Sequence, residues 1–407
     1  MKHVIIGAGP AAVCAAKQIR ELRKDDEILM ISIDEQVHSR CMLHKFLSHE
    51  RTAEEIRFIE PDFFEKQRVQ WMPGVKAEKL DPQGKTVVLS TGEQVSYDKL
   101  LIATGANYFM PPIENFREAE NVFGLRDLSD AQKIDPYAKK GSRAVIVGAG
   151  LVGLDAAYAL LERGVGVTVV EMADKILAMQ LDGTAAGEYQ RRFEEAGCRF
   201  LLSDGVASSK MNGEGRVTEV STAKGETLPC DFVVVAAGVR AAVQLAEGTP
   251  IAVERGIVVD ENLKTSCDDV YAAGDVAGLS GIWPNAMEQG RIAGINMCNI
   301  PFAYEDRYAV KNTINFFGLP ALSIGAVKKE EGDEELIRED SRSYRRALMQ
   351  GGVLRGIILQ GDIANSGIYQ YLIKNQINIS DIGKSVFDLS FADFYGVGER
   401  GEYAWTK

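Results

Sequence analysis

The sequence predicts an α/β protein in which two parallel-sheet domains precede a smaller α+β domain. Three observations lead to this fold class. The stretch HVIIGAGPAAVCAAKQIREL, residues 3–22, runs from a short apolar strand through a Gly-rich turn into a helical pattern. The same order returns in RAVIVGAGLVGLDAAYALLERGVGVTVVE, residues 143–171, and after about Phe302 the pattern changes to strands with one or two helices. Strand, Gly-rich turn, helix and second strand in this order are typical of a Rossmann-like unit.

Charge and composition exclude several classes of function. The 407 residues include 46 basic and 58 acidic side chains, and the net charge of -12 argues against nucleic acid or a membrane surface as a partner. The start MKHVIIGAG is too short for a signal peptide and no later run reaches membrane-spanning length, so we expect a cytoplasmic protein. The six cysteines are scattered without a CxxC pair or a nearby His cluster, so we expect neither a disulfide scaffold nor a metal site.

The first Gly-rich turn contains Gly7, Gly9 and Ala12. Residues with little or no side chain let backbone amides at a helix N-terminus approach a pyrophosphate. The following strand, EILMISID, ends at Asp34 and Glu35, where an acid can hold ribose hydroxyls. A plain Gly-rich turn is the alternative, because Ala12 departs from the third Gly of the pattern.

The second turn has the full GxGxxG form, with Gly148, Gly150 and Gly153, and the next strand ends at Glu171. A carboxylate at that point accepts hydrogen bonds from both ribose hydroxyls and repels a 2′-phosphate. This favours NAD over NADP, although Lys175 lies nearby in the sequence.

Three further apolar strands complete the pattern. YDKLLIATGAN leads into Thr104 and Gly105, CDFVVVAAGVR closes at Gly238, and CDDVYAAGDVAG ends at Gly274 and Asp275. With these blocks in order from residue 1 to about 303, the sequence resembles the pyridine nucleotide-disulphide oxidoreductase superfamily, especially its FAD-dependent, NADH-linked branch. The resemblance implies an FAD-binding domain over residues 1–115 and 245–305, an NAD-binding domain over 116–244 inserted in it, and a C-terminal interface domain over 306–407.

The resemblance also implies roles for individual residues. Gly7, Gly9 and Ala12 would cradle the FAD pyrophosphate, Asp34 or Glu35 would hold the adenosine ribose, and Thr104 and Gly105 would pack near the adenine-side linkage. Asp275, after Gly274, would hold the ribitol or pyrophosphate region, and Gly238 would contribute to cofactor binding. A helix beginning near Pro284 or Asn285 would point its amides at the pyrimidine edge of the flavin. Asp155, where relatives more often have Glu, would lie near the nicotinamide or on the surface.

The stretch HSRCMLHKFL, residues 38–47, matches two branches in part. Carrier-protein reductases have an aromatic-x-Arg-Pro-x-Leu-Ser-Lys pattern; Arg40, Leu43 and Lys45 fit it, while His38, Cys41 and His44 replace the aromatic, Pro and Ser. In that branch Arg40 would contribute to cofactor binding and Lys45 would reach the flavin N5 region. The peroxidase and coenzyme A-disulphide branch instead uses a redox cysteine, and Cys41 beside Arg40 could be a thiolate of lowered pKa. Met42 stands where that branch has Gly. The roles of the two histidines stay open.

The C-terminal counterpart in relatives is a dimerisation domain, which implies a homodimer or a subunit of a complex. A basic cluster formed by Arg338, Arg342, Arg345 and Arg346 could receive an acidic electron carrier. We therefore expect an FAD enzyme that takes hydride from NADH and passes electrons to a rubredoxin, ferredoxin or other iron–sulfur partner, in a reaction that could run in either direction. The alternatives are an NADH oxidase, a peroxidase or a coenzyme A-disulphide reductase using Cys41, and a flavoprotein subunit of a larger redox complex.

Overall fold

The computed structural model describes residues 1–306, 308–398 and 401–405, with the backbone alone at 403 and 404. Its α-helices are α1 (Pro10–Leu22), α2 (Leu43–Leu47), α3 (Phe63–Lys66), α4 (Leu128–Ile134), α5 (Leu151–Glu162), α6 (Gly183–Glu195), α7 (Trp283–Met297) and α8 (Ser366–Lys374). A short 3-10 helix, Arg40–Met42, leads directly into α2.

The strands of the first 241 residues are β1 (Lys2–Ile6), β2 (Glu27–Ile31), β3 (Val69–Met72), β4 (Ala77–Asp81), β5 (Thr86–Leu89), β6 (Gln94–Ser96), β7 (Lys99–Ile102), β8 (Ala106–Tyr108), β9 (Val122–Gly124), β10 (Arg143–Val147), β11 (Gly166–Glu171), β12 (Arg199–Leu202), β13 (Val206–Met211), β14 (Val217–Thr222), β15 (Thr227–Pro229), β16 (Phe232–Val235) and β17 (Val239–Ala241). The later strands are β18 (Val270–Ala272), β19 (Lys311–Phe316), β20 (Leu319–Gly325), β21 (Glu334–Glu339), β22 (Tyr344–Gln350), β23 (Val353–Gln360), β24 (Tyr395–Val397) and β25 (Tyr403–Trp405).

Two compact units make up the chain. One contains residues 1–148, 152–170 and 204–305, and the other contains residues 149–151, 171–203 and 306–407. The three domain ranges drawn from the sequence stay a prediction.

The first unit contains two parallel sheets. One has the strand order β18-β7-β1-β2-β3. In the other, β11, β10, β16 and β9 are successive parallel neighbours. Strands such as β7 and β16 are buried along their whole length, because a parallel sheet is covered on both faces. This arrangement confirms the predicted α/β class.

Helix α1 packs closely on α7 against the first sheet. A Cβ added at Gly290 of α7 would lie 2.0 Å from the Ala11 carbonyl oxygen, and one at Gly294 would lie 2.9 Å from that of Ala15. The two helix backbones can approach so closely only because these α7 positions carry no side chain. The contact holds both helices against the apolar core on this sheet.

The second unit contains a five-stranded antiparallel sheet in the order β19-β20-β23-β22-β21, with α8 against its apolar core. Helix α6 belongs to the same unit, since the Tyr189 hydroxyl donates a hydrogen bond to the Leu319 carbonyl at 2.7 Å. The Trp405 ring stacks on Tyr371 with 5.0 Å between the ring centres. The C-terminal sheet and helix confirm the predicted α+β character of this part. Residues 399–400 and 406–407, in the aromatic and Gly-rich C-terminal segment 391–407, lie outside the described residues.

Candidate functional site

A cavity of about 320 Å³ opens at the carboxyl edge of the first parallel sheet. It extends from the end of β2, at Ser32 and Asp34, to Cys41 and the start of α7 at Trp283. Ligand sites of α/β sheets form at this edge because the strand-to-helix turns converge there. Of the residues predicted to bind a cofactor, the lining includes Gly7, Gly9, Asp34, Arg40, Thr104, Gly105, Gly274 and Asp275.

The turn between β1 and α1 forms one wall of the cavity. Gly7 has φ +123°, and a Cβ there would lie 2.2 Å from the Ala103 carbonyl oxygen, so only glycine fits. A Cβ at Gly9 would meet nothing within 4 Å. Gly9 precedes Pro10 at the helix start, and no side chain caps the first amides of α1. These free amides beside an open glycine surface suit an anionic pyrophosphate.

Ala12 is fully buried and lies outside the cavity lining. The third small residue of the fingerprint allows the helix to pack closely on the strand, and the burial of Ala12 fits that purpose. The structure therefore gives Ala12 a packing environment, separate from the two glycines that face the cavity.

Of the two acids after β2, only Asp34 lines the cavity, whereas Glu35 is exposed and outside the lining. The Arg40 guanidinium donates to Asp34 Oδ2 at 3.2 Å and to the Arg126 carbonyl at 2.9 Å. Arg40 thus holds the Asp34 carboxylate in place at the end of the cavity where the resemblance predicts the ribose.

Arg126 is a cavity residue that sequence reasoning missed. Its Nη2 donates to Asp275 Oδ2 at 2.5 Å, and its Nε donates to the Ala106 carbonyl at 2.9 Å. The only sequence signal was a single arginine two residues after the buried strand β9, which forms no motif. Arg126 brings a positive charge to the middle of the cavity beside the predicted flavin ligand Asp275.

Thr104 and Gly105 line the cavity, and their predicted position near the adenine-side linkage stays a prediction. The Thr104 hydroxyl donates to the Ala242 carbonyl at 2.8 Å, so it ties the end of β7 to the segment after β17. Gly238 has φ +96° and is not part of the lining. Its carbonyl accepts a hydrogen bond from the Phe109 amide at 2.9 Å, which gives it a backbone contact at the start of β17.

The second Gly-rich turn repeats the backbone geometry of the first. Gly148 has φ +107°, and a Cβ there would lie 2.5 Å from the Ala236 carbonyl oxygen. A Cβ at Gly153 would lie 2.0 Å from the Gly148 oxygen, while one at Gly150 would meet nothing within 4 Å. The turn therefore has the tight glycine, the open glycine and the packing glycine of a dinucleotide fingerprint.

Glu171, at the end of β11, is oriented by backbone amides. Its Oε2 accepts from the Ala149 amide at 2.6 Å and its Oε1 accepts from the Ala173 amide at 2.7 Å. Each carboxylate oxygen keeps a second lone pair for a further donor. The carboxylate is thus held at the position where the sequence predicts a ribose ligand.

Cys41 lines the cavity with an exposed side chain. Desolvation by the surrounding protein raises the pKa of this thiol, and the nearby Asp155 carboxylate raises it further. The lowered thiol pKa expected beside Arg40 is therefore wrong, because the Arg40 guanidinium turns toward Asp34 and the Arg126 carbonyl. Cys41 is the only cysteine among the described residues that line the cavity.

The side chains of the neighbouring segment have different surroundings. Lys45 Nζ pairs with Glu50 Oε2 at 2.5 Å and lies outside the cavity lining. Its role near the flavin N5 stays a prediction. His38 is buried, its Nε2 accepts from the Leu128 amide at 3.1 Å, and its Nδ1 lies 3.1 Å from the Gln36 carbonyl, so both ring nitrogens have backbone partners.

The basic cluster of the C-terminal part is largely paired within its own unit. Arg338 pairs with Asp388 at 2.5 Å, Arg345 with Asp362 at 2.7 Å, and Arg346 with Glu335 at 2.5 Å. These ion pairs reduce the positive charge that the cluster can offer to a partner.

Two features are absent from the described part of the chain. No helix there is long and apolar enough to cross a membrane. No three His, Cys, Asp or Glu side chains there are grouped so that they could hold a metal ion.

Comparisons with known proteins place this geometry in a family. The family model described as pyridine nucleotide-disulphide oxidoreductase matches residues 1–290, and that of the rubredoxin NAD+ reductase C-terminal domain matches residues 311–377. The epsilon subunit of NADH-dependent phenylglyoxylate dehydrogenase from Aromatoleum evansii is 30% identical over 395 residues, which cover 94% of this chain and 93% of that protein. The NADH-rubredoxin oxidoreductase of Clostridium acetobutylicum is 26% identical and covers 89% of this chain and 92% of its own.

A solved structure, the NAD-dependent persulfide reductase from A. fulgidus, is 26% identical with a TM-score of 0.85, covering 94% of this chain and 78% of that one. The chain spans only about half the length of two Bacillus subtilis relatives, the assimilatory nitrate reductase electron transfer subunit at 51% and a nitrite reductase at 48%. The family match over most of the chain agrees with the two glycine turns and the cavity. The chain therefore belongs to the FAD-dependent pyridine nucleotide-disulphide oxidoreductase family, as an NAD(P)H oxidoreductase that uses FAD and NADH.

Proposed function

We propose that this enzyme passes electrons from NADH through FAD to an electron-carrier protein, either a rubredoxin or a ferredoxin-like iron–sulfur protein. The observation that carries the proposal is the raised pKa of the Cys41 thiol. It is the only cavity-lining thiol among the described residues, and the cavity raises its pKa. A thiol that stays protonated is a poor nucleophile, so electrons are expected to leave from the cofactor. The match of residues 311–377 to the rubredoxin reductase domain supports this choice of acceptor.

The side chains of the cavity would hold the cofactor by charge and backbone donors. The first turns of α1, with Gly7 and Gly9, would hold the pyrophosphate, and Asp34 would accept hydrogen bonds from the ribose. The ion pair of Arg126 and Asp275 would lie beside the ribitol and pyrophosphate. When bound, FAD supplies the step that the side chains cannot, since it accepts a hydride and releases electrons singly.

An anaerobic NADH titration tests the proposed acceptor. We would follow the visible spectra of the wild type and of Cys41→Ser, and then assay both with rubredoxin, ferredoxin, peroxide, persulfide and coenzyme A disulphide. The proposal expects both proteins to reduce the carrier proteins at equal rates. Cys267→Ser is the matched control, because that thiol is partly exposed and lies outside the cavity. A thiolate-to-flavin charge-transfer band that disappears in Cys41→Ser, together with loss of peroxide or disulfide turnover, would contradict it.

A second candidate function uses Cys41 as a redox thiol, in an NADH oxidase, a peroxidase or a coenzyme A-disulphide reductase. Exposure of the side chain to the cavity favours it. The same titration decides between the two functions.

A third candidate is a flavoprotein subunit of a larger redox complex. It is favoured by the similarity over 93% of the length of a relative named as a dehydrogenase subunit. Purification from the native cell without an affinity tag would distinguish a subunit from an independent enzyme. An active homodimer without other chains would count against a subunit role.

A further inference from the structure

A histidine and an aspartate from two different helices lie close together near Cys41. His44 Nδ1 of α2 lies 3.6 Å from Asp155 Oδ1 of α5. The nitrogen is buried and has no hydrogen-bond partner among the described residues, and the two side chains are 16% and 30% exposed. A small rotation of either side chain would bring the two atoms into hydrogen-bond distance. The pair is therefore placed to share a proton.

The two other acids that line the cavity each form an ion pair with an arginine. Asp34 pairs with Arg40, and Asp275 pairs with Arg126. Among the described residues, neither an arginine nor a lysine forms an ion pair with Asp155. Its charge nevertheless acts on the thiol of Cys41, which lines the cavity. Asp155 is thus the carboxylate near the cavity that is free to change its protonation.

Burial, modified by nearby charges, sets the protonation of the pair near neutral pH. Burial lowers the pKa of His44 to about 4, and Lys45 and Arg51 lower it further, while Glu50 and a hydrogen bond with the Cys41 backbone oppose them. Burial raises the pKa of Asp155 to about 7, against the attraction of Lys45. Near neutrality the imidazole is therefore neutral, and the carboxyl group exchanges its proton.

The proposed reaction leaves one proton to be removed. NADH gives up a hydride, which is two electrons and a proton, and two carrier molecules each take one electron. The products are NAD+, two reduced carriers and one proton. We propose that the Asp155 carboxylate accepts this proton at the cavity and that His44 is the positioning residue that holds the resulting carboxyl group through Nδ1. This inference rests on the proposed one-electron acceptor, because a two-electron reduction of oxygen or peroxide would consume protons instead.

A pH profile with ferricyanide as the one-electron acceptor tests the acceptor role. The wild-type kcat should rise with pH through about 7, because only the ionised carboxylate can take a proton. Asp155→Asn should lose this inflection and reduce kcat at high pH by about 100-fold, a typical contribution of a positioned proton acceptor. His44→Gln should keep most of the activity and move the inflection to lower pH, because the protonated carboxyl loses the nitrogen that accepts its hydrogen bond.

His49→Gln is the matched control for these variants. His49 follows α2, is exposed, and its Nε2 lies 2.7 Å from Asp135 Oδ1. The His49→Gln variant therefore removes a histidine–carboxylate contact of the same kind outside the cavity. Its pH profile of kcat should stay that of the wild type. An Asp155→Asn enzyme that keeps both the wild-type rate and the inflection would overturn the proposal.

A nuclear magnetic resonance titration of the oxidised holoenzyme gives a second reading without turnover. The chain has four histidines, so the ring ¹⁵N signal of His44 is identified by its loss in His44→Gln. That signal should shift as Asp155 titrates near pH 7, while the ring itself stays neutral. A signal that stays constant near pH 7 would refute the shared proton. This result does not depend on whether the Asp155→Asn protein folds. If the enzyme reduced none of the carrier proteins in the acceptor panel, the proposed function would be wrong, and the result of this titration would not change.

Discussion

Gly7 and Gly9 lie two residues apart in one turn, and a methyl group has opposite consequences at the two positions. At Gly7 the positive φ and the 2.2 Å approach to the Ala103 oxygen predict that Gly7→Ala lowers the free energy of unfolding by about 3 kcal/mol. At Gly9, where φ is -78° and nothing lies within 4 Å, Gly9→Ala should leave the apoprotein as stable as the wild type. Its methyl group should nevertheless weaken FAD binding, since it projects from the wall of the cavity.

Urea unfolding of the apoproteins and the FAD content of the purified proteins measure these two effects separately. A Gly9→Ala protein that retains FAD as tightly as the wild type would show that the cofactor lies elsewhere.

We predict that the Glu171 carboxylate favours NADH over NADPH. Glu171→Gln removes the charge that repels a 2′-phosphate, and its single side-chain oxygen still accepts from one of the two backbone amides, that of Ala149 or that of Ala173. We expect kcat/KM for NADPH to rise by about 10-fold relative to that for NADH, which corresponds to about 1.4 kcal/mol. Steady-state rates with both nucleotides measure the ratio, and Glu162→Gln on α5 is a control that changes the charge equally. An unchanged ratio would remove Glu171 from the ribose site.

Residues that follow a strand directly were predictable from the sequence, whereas residues brought together by tertiary structure were not. Gly7, Asp34 and Asp275 each follow an apolar strand whose end marks the sheet edge, and all three line the cavity. Arg126 also follows a strand, β9, but that strand has only three residues and forms no motif in the sequence, and the partner Asp275 lies 149 residues away in the chain. The reversed direction of the Cys41 pKa shift has the same origin, since it depends on desolvation by the surrounding protein and on Asp155 of another helix.

At the scale of elements, glycines determine how closely α1 and α7 pack. Gly290→Ala would place a Cβ 2.0 Å from the backbone oxygen of Ala11, which cannot move without displacing α1. We expect it to lower the free energy of unfolding by about 3 kcal/mol. Gly187→Ala on α6 is the matched control, because that glycine is exposed and has nothing within 4 Å. It should stabilise the protein by about 0.5–1 kcal/mol through helix propensity.

Thermal unfolding of the two variants beside the wild type measures both changes. Equal stability of Gly290→Ala and the wild type would mean that the two helices do not touch at this position.

The βαβ blocks were predictable as elements because strand, turn and helix are neighbours in the sequence. The pairing of β8 with β17 was not, although it fixes the turn after β7. It joins Ala106 to Ala241, and neither segment is apolar enough along its length to indicate a strand. Short strands that pair over more than a hundred residues are recognised only once the chain has folded, because their stability comes from the partner.

At the scale of the whole molecule, charge determines how a carrier protein approaches. The net charge of -12 and the internal ion pairs of Arg338, Arg345 and Arg346 leave little positive surface to attract an acidic partner. Repulsion between two acidic proteins weakens as salt shortens the range of their fields. We therefore expect kcat/KM for an acidic rubredoxin or ferredoxin to rise several-fold between about 20 mM and about 200 mM NaCl.

Steady-state assays at fixed saturating NADH measure this dependence, with an uncharged quinone as the control acceptor whose kcat/KM should not change. The direction of the salt effect carries the argument, because attraction by a local basic patch would make kcat/KM fall instead. In that case Arg342→Ala is the variant to compare with Arg338→Ala. Arg342 is exposed and forms no ion pair among the described residues, so its charge remains accessible to a partner. The charge of Arg338 is already paired with Asp388.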